Sequence, residues 1–137
     1  MSIYYERAKA LRETVSPHYN CAQSVLLPFA EEAGLDRELA LKLSSNFGSG
    51  MKCGSVCGAI TGGLMVLGLY GVEDGKTIGA YFRRLRANHE NCVECAQLLK
   101  IDRDKGNTNQ KAHCDGMVYE CVALVEEILR EQGKLSD

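Results

Sequence analysis

Apolar residues recur every three or four positions along most of the chain, which is the spacing of amphipathic helices. The first such segment, residues 3–15, ends before Pro17. The second follows Asn20, because Gln23 stands three residues later and the two residues form the side-chain pair of a capping box. This pairing predicts that Cys21 is the first residue of the second helix.

Two more helices are predicted in the middle of the chain. Asp36 is placed to cap a third helix, whose apolar stripe consists of Leu39, Leu43 and Phe47. Ser55 is placed to cap a fourth helix over residues 56–70, which is rich in glycine. Each glycine inside a helix costs about 1 kcal/mol relative to alanine. The fourth helix must therefore need close packing or access to its backbone.

The second half of the chain contains three further helical segments. Asp74 is placed to start the fifth helix. Asn91, with Glu94 three residues later, predicts another capping box that makes Cys92 the first helical residue. Residues 101–110 are polar and without a period, which is typical of a loop. The final helix, from Lys111 to about Gln132, has one apolar stripe formed by Cys114, Met117, Cys121, Val125 and Ile128.

These patterns predict one all-α domain over residues 1–137, a compact bundle of about five to seven helices with a central glycine-rich helix. The net charge of -2 and the scattered basic residues argue against binding to nucleic acid. Residues 53–72 carry no charge and include six glycines, so we interpret them as a buried helix rather than a membrane span. The charged N-terminus lacks the features of a signal peptide, which favours a cytoplasmic protein.

The seven cysteines are the main candidates for chemistry. Clustered thiols in a reducing compartment usually bind metal or carry out redox reactions, because structural disulfides are rare there. Cys21, Cys57, Cys92 and Cys114 fall in predicted first turns, where unpaired N–H groups and the helix dipole favour a thiolate. Cys121 lies in an apolar stripe and is interpreted as a core residue.

A longer motif adds a family resemblance. The segment Cys57-Gly58-Ala59-Ile60-Thr61-Gly62, with Asn20-Cys21 upstream and both Cys95-Ala96-Gln97-Leu98-Leu99 and Cys114 downstream, resembles the C_GCAxxG_C_C family of redox-active proteins. That family consists of small helical proteins of bacteria and archaea. The resemblance implies that four cysteines act as redox thiols and metal ligands, namely Cys21, Cys57, Cys95 and Cys114.

Our leading hypothesis is that these four thiols hold an iron-sulfur cluster or Zn for electron transfer with a redox partner protein. In a related cytochrome domain a set of four cysteines can hold an iron-sulfur cluster. This relation supports the iron-sulfur cluster as the bound group. Gly58 and Gly62 would border the cofactor, because glycines let backbone N–H groups or neighbouring helices approach the sulfurs. The glycine face of the fourth helix would equally suit a homodimer.

Other interpretations remain open at this point. Cys53 and Cys92 have pair spacings with Cys57 and Cys95 that suit metal ligation, which gives a rival set of four. Without metal, Cys57 or Cys92 would attack in thiol–disulfide exchange. A structural Zn domain that only binds partners is the third possibility. His18, His89 and His113 each lie close in sequence to a cysteine and could ligate a metal or tune a thiol.

Overall fold

Seven α-helices make up most of residues 2–135, which the computed structural model describes. A five-residue helical turn, Gly50–Gly54, lies between the third and fourth helices, and the described residues form no strand. The all-α prediction is confirmed, although eight helical segments slightly exceed the predicted count. The helices are α1 (Ile3–Glu13), α2 (Cys21–Ala30), α3 (Arg37–Ser44), α4 (Gly58–Leu69), α5 (Gly75–Asn88), α6 (Cys95–Asp104) and α7 (Gln110–Glu131).

The core lies where α2, α4 and α7 pack against one another. Their buried side chains interdigitate as one cluster, to which α1 adds residues from its contacts with α2 and α7. The stripe predicted on the last helix is buried as expected, with Met117 2%, Val125 0% and Ile128 6% exposed. Cys121 is fully buried in this core, as predicted for a structural thiol.

The glycines of α4 allow α2 to approach its backbone. A Cβ atom added to Gly62 would lie 2.7 Å from the carbonyl oxygen of Ala22, and one added to Gly58 would lie 3.3 Å from Cβ of Cys21. Real Cβ atoms do not tolerate contacts as short as the first. The glycine face of α4 is therefore occupied by α2 of the same chain.

The predicted apolar stripe of α3 is wrong. Asp36 caps the helix as expected, since its carboxylate accepts the Leu39 N–H at 3.1 Å. Leu39 and Leu43 are nevertheless 48% and 56% exposed. Only small residues of α3, Ala40 and Ser44, are buried, because this helix packs closely on α2.

Two predicted helix starts are also wrong. Helix α4 is capped by Cys57 instead of Ser55, and α6 begins at Cys95 instead of Cys92. Residues 55–57 pair instead with residues 93–95, through a Cys57 N–H to Val93 carbonyl bond of 2.9 Å and a Cys95 N–H to Ser55 carbonyl bond of 2.6 Å. This tertiary pairing holds both segments extended until each helix starts.

The polar segment predicted as a loop is partly helical, because α6 continues to Asp104. Leu98, which is 2% exposed, anchors α6 to the core. The uncharged segment 53–72 contains the 12-residue helix α4. Across residues 2–135, none of the helices combines the length and the apolar character that crossing a membrane requires.

Candidate functional site

Four cysteines line one cavity of about 490 Å³ at the end of the bundle where α2, α4 and α6 begin. Cys21 is the first residue of α2, Cys57 caps α4 and Cys95 is the first residue of α6. Cys114 faces them from α7, four residues after that helix starts. The structure therefore brings together the four thiols that the family resemblance selected. The rival residues Cys53 and Cys92 lie outside the lining of this cavity.

A capping box fixes the position of Cys21, as the sequence predicts. The Asn20 side chain accepts the Gln23 N–H at 2.8 Å, and the Gln23 side chain accepts the Asn20 N–H at 2.9 Å. The Asn20 amide also donates to the carbonyl oxygens of Ser44 and Ser45, at 3.2 and 3.3 Å. Asn20 thus ties the start of α2 to the end of α3.

We expect Asn20→Ala to destabilise the protein by about 2 kcal/mol. The loss of an N-cap contributes about 1 kcal/mol, and the two lost bonds to α3 carbonyls contribute about another 1 kcal/mol. Urea unfolding measures this difference. Asn109→Ala is the matched control, because Asn109 caps α7 through Ala112 and should cost only about 1 kcal/mol. Equal losses would show that the bonds to α3 contribute nothing.

A left-handed turn supports Cys95. Ser49, Gly50, Met51 and Lys52 have φ angles of 53°, 61°, 59° and 60°. For residues other than glycine this conformation costs roughly 1–2 kcal/mol each, and such strain tends to be found beside functional sites. A Cβ atom on Gly50 would lie 2.4 Å from the carbonyl oxygen of Ser55 and 2.9 Å from Cβ of Cys95. Only glycine therefore fits between the turn and the thiol.

Cys21 and Cys114 line the same cavity and interact, so that their pKa values move in opposite directions. The Cys21 thiol, acting as a hydrogen-bond donor, lowers the pKa of Cys114 to about 6, with help from His113 and Arg12 and against the effect of burial. The same interaction, followed by burial and the negative charge on Cys114, raises the pKa of Cys21. The pair therefore loses its first proton at a lowered pKa, and we assign the thiolate to Cys114.

The other two thiols of the cavity keep their protons. Burial raises the pKa of Cys57 to about 11, although the Ala59 and Ile60 amides at the start of α4 lower it in part. Burial also raises the pKa of Cys95, with a smaller contribution from the charge on Cys114. A helix start alone therefore does not make a thiolate here, because desolvation outweighs the N–H groups.

Arg12 is a site residue that the sequence analysis missed. Its side chain is 5% exposed, lines the cavity, and pairs through Nε with Oδ1 of Asp115 at 2.7 Å. Its Nη1 donates to the Tyr19 carbonyl at 2.9 Å. A possible signal was its place four residues after Ala8, on the buried side of α1. The buried guanidinium is one of the charges that stabilise the Cys114 thiolate.

His113 is the one predicted histidine that adjoins a cavity thiol in both sequence and structure. It is 8% exposed and its Nδ1 lies 2.6 Å from Oδ2 of Asp102. This pair fixes the imidazole beside Cys114 and links α7 to α6. His18 also lines the cavity. His89 instead pairs with Glu120 at 2.7 Å.

The donor types at this site are those that Zn and iron-sulfur clusters use. Their arrangement is different, since within residues 2–135 no three or more His, Cys, Asp or Glu side chains are positioned to hold a metal ion. The cavity places Cys21 and Cys114 together, with Cys57 and Cys95 in the same lining. Gly58 lines the same cavity, whereas Gly62 packs on Ala22.

The fold and the site define an all-α protein with a four-cysteine cavity. Residues 19–128 match the family described as "Putative redox-active protein (C_GCAxxG_C_C)". The chain belongs to this family, as the motif predicted. Searches of curated proteins and of solved structures find no match. Helix α1 with Arg12 lies before the matched residues.

Proposed function

We propose that the protein exchanges thiols and disulfides, with Cys114 as the attacking thiolate and Cys21 as the resolving thiol. The interaction between the Cys21 and Cys114 thiols, which line one cavity, is the observation that carries this proposal. It supports both roles, because it stabilises the thiolate that attacks and places the second thiol beside the first.

The proposed reaction consists of two exchanges. The Cys114 thiolate attacks one sulfur of a substrate disulfide, a Cys114–substrate disulfide forms, and the first substrate thiolate leaves and takes a proton. Cys21 then loses its proton to solvent, and its thiolate attacks Cys114 Sγ. The Cys21–Cys114 disulfide forms and the second substrate thiolate leaves. The substrate gains two electrons, and a dithiol protein acting as the redox partner returns the two electrons to the pair.

The pH dependence of Cys114 alkylation tests the proposed role of this thiol. Only the thiolate reacts, so its rate with neutral iodoacetamide should rise through a midpoint near pH 6 and level off above pH 7, following the lowered pKa. Alkylation is assigned to Cys114 by peptide mass. In denaturant the same thiol should titrate near pH 8.5, the ordinary value for cysteine. A midpoint near 8.5 in the folded protein would refute the proposal.

A second candidate function is the binding of an iron-sulfur cluster or Zn for electron transfer. It is favoured by the convergence of four cysteines on one cavity, and it requires their sulfurs to move into one coordination sphere. Anaerobic preparation separates the candidates. Iron with sulfide, lost in Cys57→Ser, would support the cluster, and colourless bound Zn would support a structural site. Metal-free protein with titratable thiols would support thiol exchange.

The thiol chemistry also fits a cytoplasmic location. A reducing compartment returns electrons to the Cys21–Cys114 disulfide and keeps buried thiols such as Cys57 and Cys121 reduced. We propose this location together with the function.

A further inference from the structure

Apart from the thiols, the charged side chains that line the four-cysteine cavity are all basic. Arg12 and Lys111 contribute cationic side chains, and His18 and His113 contribute imidazoles. Among the described residues, no Asp or Glu side chain lines the cavity. A ligand that reaches the Cys114 sulfur therefore contacts basic side chains.

The carboxylates that pair with these side chains do not line the cavity. Asp115 pairs with Arg12 at 2.7 Å and with Lys111 at 2.9 Å, so one carboxylate is shared by two cations. Asp102 pairs with His113, with 2.6 Å between Oδ2 and Nδ1. Neither carboxylate lines the cavity, whereas Arg12 and Lys111 do. The two cations offset the negative charge of the Cys114 thiolate and are the charged groups that a bound anion would contact.

The shape of the cavity favours a small molecule. Its volume of about 490 Å³ lies within the range of about 300–1,000 Å³ that is usual for small-molecule sites. Leu11, Val15 and Met117 contribute apolar surface, while Lys111, whose side chain is 60% exposed, lies toward solvent. Cys57 is buried, and Cys21, Cys95 and Cys114 are partly buried. A disulfide held in a folded protein would reach these sulfurs poorly.

We infer that the substrate is a small anionic disulfide, whose carboxylates are held by Arg12 and Lys111 while its sulfurs meet Cys114. This inference rests on the proposed thiol–disulfide function and names its substrate class. Arg12 then acts on both the thiolate and the substrate. The residue lies in α1, outside the part of the chain that matches the family.

Three small disulfides of different charge test the inference. The metal-free, fully reduced protein is mixed at neutral pH with dithiodipropionate, a dianion, with neutral bis(hydroxyethyl) disulfide, or with cystamine, a dication. Each rate is divided by the rate of the same disulfide with the mercaptoethanol thiolate, which removes differences in intrinsic reactivity. We expect the dianion to react about tenfold faster than the neutral disulfide and the cation to react slowest. The preference should weaken as salt is added.

Two lysine variants provide the matched comparison. Lys111→Gln should lower the rate of the dianion about threefold more than it lowers the rate of the neutral disulfide. Lys134→Gln, which follows the far end of α7, should change neither.

Each alternative result has a separate meaning. Equal normalised rates for the three disulfides, or a faster reaction with the disulfides of insulin, would overturn the anionic substrate and leave thiol–disulfide exchange intact. A failure of Cys114 to react with any disulfide would overturn the proposed function itself, and the inference with it.

Discussion

Cys21→Ser is expected to stop the protein at the mixed disulfide between Cys114 and its substrate. The serine hydroxyl still donates a hydrogen bond to the Cys114 thiolate, so attack should persist. The resolving sulfur is absent, and an intramolecular reaction is replaced by attack from external thiol. Because neighbouring groups reach very high effective concentrations, turnover should fall at least about 1,000-fold. Intact mass measurement after mixing with a small disulfide should show one adduct per chain, at Cys114.

Two further variants make this result specific. Cys114→Ser should form no such adduct, since the attacking sulfur is gone. Cys53→Ser removes an exposed thiol that lies outside the cavity lining, and it should turn over like the original protein. Normal turnover by Cys21→Ser would contradict the assignment of Cys21 as the resolving thiol.

Gly62→Ala is expected to destabilise the protein by about 2 kcal/mol. The new Cβ atom would lie 2.7 Å from the carbonyl oxygen of Ala22 and 3.0 Å from its Cα, so backbone must move. Overpacking of this kind typically costs about 1–3 kcal/mol. Because Ala22 follows Cys21, the shift should also slow alkylation of Cys114. Urea unfolding and iodoacetamide kinetics measure the two effects.

Gly68→Ala is the control in the same helix. A Cβ atom added there would have no neighbour within 4 Å. Alanine is the better helix former, so this change should stabilise the protein by up to about 1 kcal/mol. If both substitutions stabilise the protein equally, the glycines of α4 are not required for the close approach of α2 and α4.

Local sequence signals predicted one side of the candidate site correctly. The Asn20–Gln23 capping box is complete within four residues, so its chemistry alone places Cys21 at the start of α2. The last helix was predicted because a stripe repeated over several turns leaves only one face to bury, and Cys114 lies on that face. These two elements position the pair on which the proposed function rests.

The other side of the site depends on contacts between distant segments. Cys57 and Cys95 reach the cavity because residues 55–57 pair with residues 93–95, a contact that overrides the cap at Ser55. The hydrophobic periodicity of the sequence does not indicate such a pairing. Arg12 was missed for a related reason, since a charged residue near the end of a surface helix is usually solvated. Here Asp115, more than one hundred positions later, makes its burial tolerable.

The burial of the thiols could likewise not be predicted from the local sequence. The start of a helix was expected to favour a thiolate at Cys57, and the amides of Ala59 and Ile60 do act in that direction. How far the sulfur is removed from water depends on the whole bundle, and this desolvation is the larger effect. The pKa of Cys114 is lowered instead, because the Cys21 thiol donor, His113 and Arg12 together outweigh its burial.

The most direct test of the Cys21–Cys114 pair is a disulfide map of the oxidised protein. Fully reduced, metal-free protein is treated with one equivalent of neutral bis(hydroxyethyl) disulfide, quenched with acid, alkylated and digested. The proposed pair predicts that Cys21 and Cys114 become linked within one chain while Cys57, Cys95 and the remaining cysteines are alkylated. A disulfide between Cys53 and Cys92, or Cys21 and Cys114 both recovered as alkylated thiols, would contradict it.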